Sequence, residues 1–290
     1  MPNTVFYSPI NENAVDYALS ITRNYLGQLK QRAVGLERAS VLEIGPGAEF
    51  AAALVMASHG ATVTLADRFL APWDDNFHPG FYRVFLERWD GPRAALETVV
   101  AQGSYDNVLR LLPMSAESLA PIADGSTDLV LSNAVLEHVQ DLPRVVREMA
   151  RISRPGGVQA HQVDCRDHRN FSRPLDHLLV AEAEFEAERN LNGCIHGTQM
   201  RLQEIAECFA PYFWIDEMEP NCFAEVGYLD ELAPRLKGRF AKFPRQSLRV
   251  TGGRLWLSRK SSEATIRNSH IPAVKSRWRQ LLRRLSEPRR

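Results

Sequence analysis

Residues 41–67 constrain the fold more than any other stretch of the chain. Val41-Leu42-Glu43-Ile44 is a short apolar run that stops at Gly45-Pro46-Gly47, and an alanine-rich apolar run at 51–56 follows. Strand, glycine turn, helix is the simplest reading. Gly60 closes the helix, and Thr62-Val63-Thr64-Leu65-Ala66 makes a second strand ending at Asp67. Two strands joined through a helix form a βαβ unit, and such units require a parallel sheet covered by helices.

The rest of the chain extends this pattern. Strands are expected at 108–112, 128–132 and 158–163, with a helix at 142–152 and a turn at Arg154-Pro155-Gly156-Gly157. Strands at 213–218 and 254–258 are expected to pair antiparallel. Strands alternating with helices predict an α/β fold, with seven strands in a mostly parallel sheet and helices on both faces. Val15, Ala18, Leu19, Ile21, Tyr25, Leu26 and Leu29 recur at helical spacing and predict an N-terminal helix.

Three parts are expected: an N-terminal helical segment at 1–36, the main domain at 37–260 and a basic tail at 261–290. Two insertions interrupt the domain, at about 68–107 and 164–200. Inserts at the carboxyl ends of parallel strands commonly build pockets and lids. For the first of them, rich in aromatics (Phe69, Trp73, Phe77, Phe81, Tyr82, Phe85, Trp89), packing as extra helices is an equal alternative.

Composition bounds the class. With 44% hydrophobic and 24% charged residues, the chain is neither disordered nor a disulfide scaffold. No apolar run reaches the roughly 18–20 residues of a membrane span. The first residues lack a basic stretch followed by an apolar one, so the cytoplasm is the expected compartment. Cys165, Cys194, Cys208 and Cys222 form no CxxC pair and are read as free thiols.

The chain has 35 basic and 35 acidic side chains, but the balance is uneven. Residues 261–290 hold eight Lys and Arg against two Glu, a net +6 on a body of about −6. Ile271, Val274, Trp278, Leu281, Leu282 and Leu285 are spaced as one face of a basic amphipathic helix over 271–286. Such a helix either docks on the acidic domain or makes peripheral contact with the inner face of a membrane. Nucleic acid is not expected, because the body is acidic and no aromatic–basic module appears.

The glycine turn suits a nucleotide cofactor. Glycine lets backbone approach a ligand closely, and Asp67, 22 positions after Gly45, can accept hydrogen bonds from both ribose hydroxyls. That spacing fits NAD or S-adenosylmethionine. A dinucleotide turn wants a small residue where Phe50 stands, and Glu49 would repel a pyrophosphate at the helix start. S-adenosylmethionine carries no phosphate, so Glu49 costs it nothing. Glu49 can also be read as a helix-dipole residue.

VLEIGPGAEF, LADRF, SAESLAPIADGSTDLVLSNAVLEHVQDLPRVVREMARISRPGGV and HQVDCRDH together resemble class I S-adenosylmethionine-dependent methyltransferases. The similarity is to the type-11-like branch, whose enzymes tailor surface glycans and small molecules. It is dense over about 38–170, architectural to about 260 and absent from the tail. It implies the Rossmann-like methyltransferase fold and S-adenosylmethionine as cofactor. It further implies that Glu43, Gly45 and Gly47 shape the methionine-side turn, that Asp67 holds the ribose, and that Ser115, Ala116 and Glu117 lie beside the adenine. Asn133 would stand near the methionine moiety, with Leu136 and His138 just beyond. This chain departs from many relatives in having Ser115 in place of an Asp and Glu49 in place of a third glycine.

Methyl transfer needs in-line geometry and, for a hydroxyl or amine acceptor, a base. The expected reaction is methylation of a hydroxyl, or less readily an amine, on a sugar-containing or other small acceptor. Candidates for the base lie in His161-Gln162-Val163-Asp164-Cys165-Arg166-Asp167-His168, and Asp164, Asp167 and His168 are the chosen set. His161, alternating with Val163 on a strand, reads as a core residue. The same acids and imidazoles would also suit a divalent ion, magnesium or calcium before zinc, but no metal is assigned. A cofactor-binding protein without catalysis, a partner in glycan assembly and an NAD-dependent oxidoreductase are the rival readings.

Overall fold

The structure is a computed structural model that describes residues 12–261 and Trp278. Its strands pair in one seven-stranded sheet of order β3-β2-β1-β4-β5-β7-β6, the Rossmann-like α/β arrangement expected. The chain divides into two compact units. One comprises Met1–Asn133 with Ile152–Arg154, the other Ala134–Arg151 with Pro155–Arg290.

In the first unit the strands are β1 (Ser40–Ile44), β2 (Thr62–Asp67), β3 (Leu109–Pro113) and β4 (Thr127–Asn133). β1 pairs parallel with β2 and β4, and β2 pairs parallel with β3. Their buried residues (Val41, Leu42, Ile44, Leu65, Leu129, Val130, Leu131) are the continuous apolar runs that a sheet covered on both faces requires. The helices are α1 (Glu12–Gln31), α2 (Ala51–Ser58), α3 (His78–Glu87) and α4 (Ala94–Gln102). α1 buries Val15, Leu19, Tyr25 and Leu29, the stripe its periodicity predicts. α2 is apolar on every side and accordingly buried from Ala51 to Met56. The 68–107 insertion forms α3 and α4, with Phe81, Tyr82, Phe85, Leu96 and Val99 inaccessible to solvent. It packs as extra helices.

The second unit holds, apart from Ile152–Arg154, α5 (Leu142–Ile152) and β5 (Ser153–Asp164), with α6 (Glu182–Leu191), α7 (Leu202–Phe209), β6 (Phe213–Phe223), α8 (Val226–Leu232), α9 (Arg245–Arg249) and β7 (Val250–Arg259). β7 pairs antiparallel with both β5 and β6. Two strands begin well ahead of where their sequence suggests. β5 runs through Arg154-Pro155-Gly156-Gly157, where Gly156 takes a φ of +76° instead of ending the strand in a turn. β7 begins at Val250, ahead of Gly252 and Gly253. A Cβ on Gly253 would meet Leu202 Cδ2 at 2.4 Å and the Glu219 carbonyl oxygen at 2.7 Å, so the strand needs glycine where neighbouring elements come closest.

Two buried cations tie this unit together. Arg201 donates to the carbonyls of Cys165 (2.8 Å) and Val250, joining the end of β5 to the start of β7. Lys260 Nζ donates to the Ala210 carbonyl at 2.6 Å. A separate apolar cluster packs Leu175 and Leu178 of the 164–200 insertion with Leu229, Leu232, Phe240 and Leu248. The tail helix expected over 271–286 lies outside the described residues except for Trp278, which is buried and donates from Nε1 to Ser247 Oγ at 2.8 Å. Among the described residues, no helix is long and apolar enough to cross a membrane.

Candidate functional site

The expected cofactor residues Glu43, Gly45, Gly47, Asp67, Ser115, Ala116, Glu117 and Asn133 all belong to the first unit. Strand register brings most of them to one edge. Ile44 pairs with Ala66 on one side and with Ser132 on the other. Gly45, the next residue, therefore falls between Asp67 and Asn133, and its N–H donates to the Ala66 carbonyl at 3.1 Å. Asp67 pairs with Pro113, which leads into Ser115-Ala116-Glu117. Four parallel strands thus end in one row. This is where open α/β sheets bind ligands.

The turn itself is backbone-rich. Gly45 and Gly47 have φ of +64° and +77°, which side-chain-bearing residues adopt reluctantly. Glu49 folds back over the turn, its Oε2 lying 3.3 Å from where a Cβ on Gly47 would be. It precedes α2 instead of occupying the helix's first turn, so it is not a helix-dipole residue. Burial raises its pKa. Phe50, left-handed at φ 50°, is buried, with its ring centroid 4.9 Å from that of Tyr105.

Side chains remote in sequence hold this turn. In the insertion, His78 Nδ1 accepts from the Asp74 N–H (2.8 Å), which leaves Nε2–H to donate to the Ala48 carbonyl (3.2 Å). The Tyr82 hydroxyl donates to the Glu49 carbonyl. From α1, the Tyr17 hydroxyl accepts from Asn133 Nδ2 at 2.9 Å. Asp67 Oδ1 accepts from the Phe69 N–H (2.8 Å). Arg68 donates to Glu117 Oε2 (2.8 Å) and to Ser115 Oγ (3.2 Å). None of Tyr17, His78 and Tyr82 was legible as a site residue, because nothing local marks a residue that acts across 30 or more positions.

Glu43 is the most unusual group in the row. It is buried beside the Tyr25 hydroxyl, and neither Glu43 Oε2 nor Tyr25 Oη has a hydrogen-bond partner. Burial pushes the Glu43 pKa up to about 8. A buried carboxyl lacking a cation suits a positively charged ligand group. The sign of its effect on stability follows. A folded pKa above the unfolded value of about 4.3 gives stability that is full below that value and lost as pH rises through about 8. Glu43→Gln keeps the shape and removes the titration. Ligand-free wild type should therefore lose thermal stability relative to the variant between about pH 4.3 and 8. Parallel curves of Tm against pH would overturn the buried-acid assignment.

Leu136, His138, Asp164, Asp167 and His168 belong to the second unit. Asp164, at the end of β5, receives Arg166 through Nε (2.9 and 3.0 Å), Nη2 (2.6 Å) and the backbone N–H (3.0 Å). Burial works to raise its pKa, but His168 and Arg166 outweigh it and hold Asp164 well below the usual carboxylate range. His168 Nε2 lies 3.6 Å from Asp164 Oδ2 and, though buried, has no hydrogen-bond partner. Asp167 is buried and engaged by Arg169 Nε and Nη2, both at 2.9 Å. His138 packs on His168, with ring centroids 4.8 Å apart, and bonds through Nδ1 to the Cys194 carbonyl at 2.8 Å. Glu137, which the sequence did not single out, completes the group. It is fully buried, its Oε1 accepts from the Asp164 N–H (3.2 Å), and its Oε2 has no partner. His161 is a core residue, bonded to Gln159 through Nε2 at 2.9 Å, with its pKa pushed down to about 3 by burial.

Residues 88–160 match the Methyltransferase domain family model of type 11. An uncharacterized methyltransferase of Mycobacterium sp. (strain JLS) is 51% identical over 49 residues, which are 17% of this chain and 19% of that protein. The human thiol S-methyltransferase TMT1A is 34% identical over 59 residues, 20% of this chain and 24% of that one. The chain thus spans about a fifth of the length of the curated relatives it matches. A solved S-adenosylmethionine dependent methyltransferase from Mesorhizobium loti aligns with a TM-score of 0.46 at 14% identity, over 80% of this chain and 96% of that one. The glycine turn between Asp67 and Asn133, the strand order and the matched domain at 88–160 make this chain similar to type-11 methyltransferases, on a Rossmann-like fold.

Proposed function

We propose that the protein transfers the methyl group of S-adenosylmethionine to a hydroxyl of a small acceptor, sugar-containing molecules foremost, with an amine as the lesser option. The observation that carries the cofactor assignment is the row at the strand ends: Gly45 and Gly47 at positive φ, Asp67 beside them, and the buried Glu43 carboxyl with one oxygen unpartnered. In this reading Glu43 faces a cationic group of the cofactor and Asp67 takes the ribose hydroxyls. Ser115, Ala116 and Glu117 border the adenine. Asn133, Leu136 and His138 line the methionine side, and residues 37–260 form the methyltransferase domain.

The cofactor's sulfonium supplies the activated methyl, so the protein has to orient the acceptor and remove its proton. Of the three chosen residues, His168 is best suited to take that proton. Asp164 is committed to Arg166 and Asp167 to Arg169, and both carboxylates are held in their ionised, weakly basic form. His168 keeps a buried, unpartnered ring nitrogen. Asp164 stabilises the imidazolium that forms, and Asp167 holds the loop through Arg169. For the tail, the buried Trp278 bonded to Ser247 supports docking on the domain over contact with a membrane.

Calorimetric titration should show binding of S-adenosylmethionine and S-adenosylhomocysteine and none of NAD. Release of S-adenosylhomocysteine across a panel of sugars, glycolipid intermediates, amines and thiols should then peak on a hydroxyl acceptor. Thiols enter the panel because of the human relative's name. Absence of cofactor binding would overturn the reading, and turnover confined to thiols or amines would overturn the acceptor class.

A further inference from the structure

We propose that Glu137, His138 and His168 form a binding site for a first-row divalent transition ion of the zinc type. One potential ligand atom from each of the three lies within 4.8 Å of the other two. Ligand atoms about 2.0–2.1 Å from zinc sit about 3.4 Å apart around a tetrahedron, so each side chain closes by under about 1 Å.

The atoms free to ligate are the ones a metal would use. The bond from His138 Nδ1 to the Cys194 carbonyl makes Nδ1 the donor and leaves the Nε2 lone pair available. Anchoring one imidazole nitrogen on a backbone carbonyl is how metal-binding histidines are commonly oriented. His168 Nε2, 3.6 Å from Asp164 Oδ2, and Glu137 Oε2 are both buried and neither makes a hydrogen bond. Glu137 is completely inaccessible to solvent. A buried carboxylate oxygen and a buried imidazole nitrogen left unsatisfied together are costly to keep, and a divalent cation would satisfy both at once, with His138 as the third ligand.

The donor set selects the ion. Magnesium and calcium favour all-oxygen coordination, whereas two imidazoles with one carboxylate suit zinc, cobalt or ferrous iron. The sequence offers His161 as the second imidazole, with magnesium or calcium ahead of zinc and no metal assigned. His161 lies instead in the core with Gln159, and His138 stands in its place. The neighbouring Asp164 is neutralised by Arg166 and acts as an outer support, through its N–H on Glu137.

Three protein ligands leave a fourth tetrahedral position for water or an acceptor oxygen, whose proton the ion would make more acidic. This inference builds on the proposed hydroxyl methylation, and it changes one role there. With the ion bound, the His168 lone pair is committed, and acidification by the metal replaces proton removal by the imidazole.

The test uses full-length, tag-free protein stripped with a chelator, dialysed and titrated with Zn2+ against a competing chromophoric chelator. One Zn2+ per chain is expected, together with the visible absorption of four- or five-coordinate Co2+ on cobalt substitution. His168→Gln and Glu137→Gln should each weaken Zn2+ binding by about 100-fold or more, and His59→Gln should leave it unchanged. Because Glu137 is buried, the His168 variant, checked by circular dichroism, is decisive alone. Sub-stoichiometric Zn2+ in wild type, or unchanged affinity in His168→Gln, would overturn the site. S-adenosylmethionine titrated into the same stripped protein reports separately on the methyltransferase reading.

Discussion

Gly47→Leu should abolish S-adenosylmethionine binding in calorimetry while circular dichroism remains that of a folded chain. Two effects act together. The residue sits at φ +77°, where a side chain costs about 1–3 kcal/mol. Its Cβ would come within 3.3 Å of the folded-back Glu49 carboxylate, and the remainder of the leucine would occupy the space above the turn. If Gly47→Leu unfolds, Gly47→Ala provides the milder version and should weaken binding without melting the domain. Asp67→Asn separates charge from shape. The amide still accepts from the Phe69 N–H, so the turn persists, but charge-assisted bonds to the ribose weaken. Such bonds contribute about 1.5–3 kcal/mol, or roughly ten- to over a hundredfold in affinity. Wild-type affinity in both the leucine and the asparagine variants would show that the cofactor binds elsewhere.

His168→Ala should lower kcat on the true acceptor by about a hundredfold to ten-thousandfold, the usual cost of losing a general base. Its affinity for S-adenosylmethionine should stay near wild type. Asp164→Asn is the informative companion. It leaves the imidazole in place but removes the carboxylate that stabilises imidazolium, so a smaller loss in kcat is expected. A His168→Ala enzyme with wild-type turnover would make the cluster structural, and His138 would be the next residue to test.

The sequence and the tertiary structure contributed different things. Strand, glycine turn, helix and terminal acid in 40–67 were legible because each depends on residues adjacent in the chain. Apolar runs make buried strands, glycine alone enters positive φ readily, and Asp67 marks the end of β2. α5 and the N-terminal helix were legible for the same reason, their apolar spacing matching the helical repeat. Glycines misled where packing between elements overrode local preference. Arg154-Pro155-Gly156-Gly157 reads as a turn but lies inside β5, and Gly253 lies inside β7, where Leu202 and the Glu219 carbonyl leave no room for a Cβ. Only the folded chain showed that His78 and Tyr82 grip the Ala48 and Glu49 carbonyls, and that Tyr25 stands over Glu43. It also decided the roles within the acidic and imidazole run. Asp164 and Asp167 spend their charge on arginines two residues away, while Glu137 and His138, 27 and 30 positions upstream of Asp164 and His168, join His168. A local pattern fixes which backbone an element adopts. Which charges meet, and which buried atoms are left without a partner, depends on contacts between distant segments that no spacing records.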